Sequence, residues 1–176
     1  ILKTLIIAIS SLVLALGVIV TAAFVTEHRP GDVEIVVPAC EVAGTAPLHV
    51  GEAFTLVSWN VQYGAGRNHK FFYDGGDAVH VPREDVDQTV SGIGAALADA
   101  APDLVLLQEI DRGSKRTHDV DMLTPWASAA KTPCTATATY HRVPFVPKPF
   151  MNPLGRVDMH LGILSRAPLS GTRRLQ

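Results

Sequence analysis

The sequence predicts an α/β fold carried behind an N-terminal transmembrane helix, and three observations predict it. The stretch from Thr4 to Thr26, TLIIAISSLVLALGVIVTAAFVT, contains no charged residue. Further along, a strand pattern, a helix pattern and a second strand pattern follow one another, the order that places both strands in one sheet with the helix against it. Both strands also end in a polar residue at a comparable place, Asn60 after LVSW and Glu109 after LVLLQ.

The uncharged run is long enough to cross a bilayer as a helix, and it has no polar stripe of the kind a buried amphipathic helix shows. Lys3 precedes it, and Glu27, His28 and Arg29 follow. That charge bias favours a cytoplasmic N-terminus, hence a single-pass membrane protein with an extracytoplasmic globular part. Secretion after signal cleavage is the competing reading, because TAA at Thr21 to Ala23 resembles a cleavage site. The expected divisions are an anchor over 1–26, a linker over 27–52 and a folded domain over 53–176. Within the linker, prolines and glycines surround one strand-like piece, VEIVV at Val33 to Val37.

In the folded part, FTLVSWN (Phe54 to Asn60) is rich in β-branched and aromatic residues and reads as a strand followed by a glycine-containing loop. From Glu84 to Ala100, Val86, Val90, Ile93 and Leu97 fall on one helical face. DLVLLQEI then reads as a strand apolar on both sides. A helix over about Asp119 to Lys131 and strands near Thr135 to Tyr140 and Val157 to Leu164 complete the pattern. Between those last strands, RVPFVPKPFMNPLGR has too many prolines for a helix or a central strand and is expected to be loop. Trp59 and Trp126 are expected in the core. Cys40 and Cys134 are the only cysteines; an oxidising compartment permits them to pair, and two free thiols are the default.

The chain has 176 residues, 47% hydrophobic, with a formal net charge of -2. No strongly basic surface for polynucleotide and no wholesale disorder follow from that balance. The chain opens on Ile1 and ends in LSGTRRLQ without a closing helix or turn, so further sequence is expected at both ends.

If the two strands are parallel neighbours, Asn60 and Glu109 share the rim where open α/β sheets bind ligands. A carboxylate at the end of a dry strand needs a partner. A hard cation such as Mg²⁺, which takes oxygen ligands and one or two carboxylates, is one choice. An ion pair with Arg112 or Arg166 is the other.

LVSWNVQYG (Leu56 to Gly64), PDLVLLQEID (Pro102 to Asp111) and GILSRAPL (Gly162 to Leu169) occur in this order. Together they resemble the first three signature blocks of the endonuclease/exonuclease/phosphatase superfamily of metal-dependent phosphoesterases. The resemblance implies a four-layer α/β/β/α sandwich, here incomplete, and Mg²⁺, with Mn²⁺ as the alternative, held by Asn60 and Glu109. It puts Asp158, seven residues before Ser165, at a catalytic position. His160 and Arg112 are the candidates to meet substrate. The implied substrate is a phosphoester, with lipid headgroups favoured by the anchor and nucleic acid open but not favoured. The family's later GDFN-like and SDH blocks are absent, since the chain contains no GDxN and none of its seven histidines has the SDH context. Negligible turnover by this chain, uncovered apolar strand faces, and a non-catalytic anchored module as the second reading are the consequences.

Overall fold

The computed structural model describes residues 2–40 and 46–176. Residue 1 of the expected anchor and residues 41–45 of the expected linker lie outside the described residues. Helix α1, Leu2–Thr26, is apolar and long enough to span a membrane, and it buries nothing against the rest of the protein. Such a helix gains stability only where a bilayer covers it.

Beyond it come the strands β1 (Val33–Ile35), β2 (Ala39–Cys40) and β3 (Leu56–Asn60), helix α2 (Arg83–Ala100) and strand β4 (Leu104–Asp111). Helix α3 (Leu123–Ala129) and strands β5 (Cys134–Val146), β6 (Gly155–Ser165) and β7 (Arg173–Leu175) complete the order. The main sheet runs β2-β5-β6-β4-β3, and β1 pairs with β7 in a separate ribbon. Among the described strands only the β3–β4 pair is parallel, as a strand–helix–strand connection requires; its register sets Asn60 opposite Gln108.

Apolar periodicity decides which face is covered. Val86, Ile93 and Leu97 of α2 and Leu123 and Trp126 of α3 pack on Val105, Leu107, Ile110 and Leu164. The Trp126 indole N–H donates to the Val90 carbonyl at 2.9 Å, satisfying its one polar atom. Gly162 lies on this side too: a Cβ there would strike the side chains of Ile110 and Leu123. The opposite face carries Leu56, Leu106, Leu161 and Ile163, none of them fully buried. It shares a cavity of about 290 Å³ with Val36, Thr172 and Leu175 of the small ribbon. The architecture is thus mixed α/β, with one helical layer, one sheet and a two-stranded ribbon.

Several expectations change. The linker is woven into the fold, because β1 pairs with β7 and β2 with β5. Cys40 and Cys134, opposite one another on β2 and β5, form a disulfide. β4 is dry on one side only, and its other side, Leu104 and Leu106, is half-buried. Trp59 stands on the edge strand with 36% of its surface exposed, whereas Trp126 is fully buried. β5 continues through Pro144 to Val146, with a register irregularity between Val143 and Val146 and no strand on its other side there among the described residues. A proline at a free edge costs no ladder hydrogen bond.

Candidate functional site

The residues singled out by sequence divide between the two sides of the sheet. Leu107 and Ile110 both enter the helix-side core, although three positions apart. The pairing of β4 with β6 slips between them, and Glu109 sits in the slip with a left-handed backbone, φ 58°. This β-bulge keeps both Gln108 and Glu109 out of the core. Asn60, opposite Gln108, therefore ends β3 on the same side, and the Val61 N–H donates to the Gln108 carbonyl at 3.0 Å, closing the rim.

Asn60 is exposed, and its Oδ1 accepts the Gln62 N–H at 3.0 Å, a turn that leads the chain away from the strand. Gln62 (φ 45°) and Tyr63 (φ 58°) are also left-handed. Non-glycine residues in this region cost on the order of 1–3 kcal/mol each and concentrate at functional sites. Ala101 and His118 share the geometry, but they end helical turns, where it is ordinary. Glu109 adopts it in mid-strand.

Glu109 is half-buried, and its side chain makes no hydrogen bond or ion pair among the described residues. Both arginines that might have neutralised it are taken. Arg112 forms a two-pronged pair with Asp121, Nε–Oδ1 and Nη2–Oδ2 both 3.1 Å, and Arg166 pairs with Asp103. Through space the Glu109 carboxylate acts on the Tyr63 phenol. Burial first, then contact with the Tyr73 hydroxyl, pushes the Tyr63 pKa above the ordinary phenol value, and Glu109 adds to the shift. Tyr63 thus stays protonated.

Behind Tyr63 lies a buried ion pair that sequence reasoning missed, since Arg116 was a candidate there only for substrate phosphate. Asp111 is fully buried and meets Arg116 in a bidentate pair at 2.8 Å, while the Thr117 hydroxyl donates to the same carboxylate at 2.9 Å. The guanidinium lies 3.4 Å above the Tyr63 ring and donates to the Tyr73 hydroxyl at 3.0 Å. Burial works against its charge, but the bond to and charge of Asp111 outweigh it, and the Arg116 pKa is raised. The spacing of Asp111 and Arg116 in DRGSKR was the available signal.

Asp158, His160 and Arg112 gather on the other side. His160 precedes Gly162 by two residues in an unbroken strand, so it shares the helix-covered face. Its Nε2 meets Asp158 Oδ1 at 2.8 Å, and that oxygen also accepts from Arg142 Nε at 2.9 Å. Nδ1 of His160 is buried without a partner among the described residues. Burial pushes the imidazole pKa down, against the opposing pull of Asp158. Arg112 binds Thr137 Oγ1 at 3.2 Å as well as Asp121. The register thus sets Asn60 one position from Glu109 at the rim of the sheet, and Asp158, His160 and Arg112 gather separately. The sheet lies between the two groups.

No set of three or more His, Cys, Asp or Glu side chains among the described residues is placed to hold a metal ion. Compared with protein-family models, with curated proteins and with solved structures, the chain matches none.

Proposed function

We propose that the chain carries the metal-binding half of a Mg²⁺-dependent phosphoesterase site, with Asn60 and Glu109 as protein ligands. The observation that carries this reading is the unpaired Glu109 carboxylate, set by a mid-strand bulge beside the end of a parallel neighbour that bears an amide. A hard cation that keeps most of its water needs only one or two carboxylates, so this donor set fits Mg²⁺ better than a metal wanting three or four protein ligands. Asn60 Oδ1 spends one lone pair on Gln62 and retains a second. Bound there, the ion would supply charge to polarise a phosphoryl oxygen.

The chain's own residues do the rest. Glu109 supplies the negative charge, and Asn60 a neutral oxygen. Tyr63, kept protonated, donates its hydroxyl to Tyr73 and walls the same rim with its ring. Arg116 holds the Tyr63 ring from behind and is neutralised by Asp111. His160 faces the helices, and His141, which lines a cavity with Tyr63 and Arg116 on this side, has no hydrogen-bonded carboxylate to orient it among the described residues. The reading is therefore of binding without efficient turnover. The substrate class is a phosphodiester, with a lipid headgroup favoured by the apolar α1 and by the absence of a dense Lys and Arg track. A disulfide-bonded domain behind α1 fits an extracytoplasmic position.

Titration of the full chain in detergent with Mn²⁺, followed by electron paramagnetic resonance with Mg²⁺ competition, tests the proposal. Glu109→Gln should weaken binding by about tenfold or more, and Asp158→Asn should leave it unchanged. Equal binding by the wild type and Glu109→Gln would defeat it. Hydrolysis of an activated phosphodiester should be no faster for the wild type than for Glu109→Gln. The ion-paired state of Asp158 and Arg112 favours the second reading, an anchored module that binds without catalysing.

A further inference from the structure

The segment from Arg142 to Arg156 contains three basic residues, no acid and four prolines. Its base is fixed. Val146 stands opposite Gly155, the Leu154 N–H donates to the Lys148 carbonyl at 2.9 Å, and the Asn152 N–H to the Pro149 carbonyl at 3.1 Å. Leu154 and Val157 belong to a small buried cluster with Val79 and Met159, against which Val143 and Val146 pack. A closed, rooted loop should turn its apolar side chains onto that cluster. It turns two of them away: Phe150 is 88% exposed and Met151 89% exposed, at the tip. Phe145 on the adjoining strand is 58% exposed.

The position of this loop relative to α1 gives the exposed tip a partner. Two residues past the end of α1, the His28 N–H donates to the Arg142 carbonyl at 3.3 Å. The point where the chain leaves the apolar helix is thus bonded to the residue at which the loop segment begins. Lys148, beside the tip, makes no ion pair among the described residues. Arg142 and Arg156 are about half exposed although they pair with Asp158 and Asp119. Aromatic and thioether side chains beside unpaired positive charge, on a segment whose first residue is bonded to the chain just past α1, match the headgroup region of a bilayer, where apolar groups settle about 5–10 Å deep and basic groups meet lipid phosphate.

We infer that the loop between β5 and β6 is a second membrane contact, with Phe150 and Met151 in the lipid interface and Lys148 at headgroup phosphate. It would turn a domain tethered at one point into one seated on two. This inference depends on α1 lying in a bilayer and not on the metal site.

The test uses the full chain in phosphatidylcholine vesicles, with and without phosphatidylglycerol. Because both native cysteines are bonded to each other, a Met151→Cys variant offers one thiol for an environment-sensitive fluorophore, and Asp99→Cys at the exposed end of α2 serves as control. The expected result at position 151 is a blue shift, strong quenching by lipids spin-labelled near the headgroup and weak quenching by aqueous iodide, with the control showing the reverse. Replacing Lys148 with Glu should reduce the lipid quenching in the anionic vesicles. Iodide quenching of position 151 as strong as that of position 99 would overturn the inference. So would burial of the fluorophore without lipid quenching, which would mean that a second copy of the chain covers the tip.

Discussion

The two sides of the central sheet treat charge in opposite ways. On the helix-covered side Arg112 is paired with Asp121, and Asp158 with both Arg142 and His160. On the other side Glu109 stands in mid-strand with no hydrogen-bond or ion-pair partner among the described residues, two residues before an acid that is completely buried and doubly paired. A paired buried charge is a structural requirement, since losing either member strands the other. An unpaired carboxylate in a costly backbone conformation does nothing evident for the fold, and a ligand accounts for it better.

The contrast between Asp111 and Glu109 can be broken most directly by mutating each. Asp111→Ala leaves the Arg116 guanidinium buried beneath Tyr63 and Tyr73 and should cost about 3–5 kcal/mol, read from the denaturant midpoint of the full chain. Glu109→Gln should change the midpoint by no more than about 0.5 kcal/mol, as for a position making no contact the fold needs. If the two losses were equal, Glu109 would be a structural residue and the two sides would not differ in kind.

The cover over each face differs as well. Two helices close one face, whereas the other has a three-residue ribbon and the disulfide-held β2 beside it. Replacing Cys40 and Cys134 together by serine opens a long covalent loop and should lower stability by about 2–4 kcal/mol. Amide exchange should then rise first in β1, β2 and β7, while Val105 and Leu107, on the dry side of β4, remain protected until global unfolding. Loss of protection at Val105 together with β2 would mean that the sheet opens as one unit.

Local chemistry made the framework legible in the sequence. The apolar step of α2, the β-branched run of β3 and the dry residues of β4 placed those elements, and the parallel pairing of β3 with β4 followed from the helix between them. The positions of Asn60 and Glu109 came with that framework. The facing of Asp158 and His160 did not, because strand alternation says which residues share a side and not which side a neighbouring helix will cover. Arg112 was open to either Glu109 or a phosphate in the sequence; its pairing with Asp121 is a tertiary contact that the spacing did not single out. Nor does spacing reveal that Cys40 lies opposite Cys134, since that register joins residues 94 apart. The bulge at Glu109 has no glycine to mark it.

The smallest effect separates the sides by pH. Burial holds the His160 pKa below the ordinary imidazole value of about 6.5, against the charge of Asp158 and with Arg112 and Arg142 acting in the same direction as burial. Between its folded and unfolded values the unfolded chain binds more protons. Stability should therefore fall as pH drops below about 6.5 and level off once the folded imidazole also protonates. Asp119 is held low by its bonds to Lys115 and Arg156. Asp121 is held low by Arg112, which outweighs burial. These two add a second loss as pH falls below about 4. His160→Gln should erase the upper step in a series of denaturation midpoints and keep the lower one. An upper step that survived in His160→Gln would place the titrating group elsewhere and remove the helix-side cluster from the account of pH dependence.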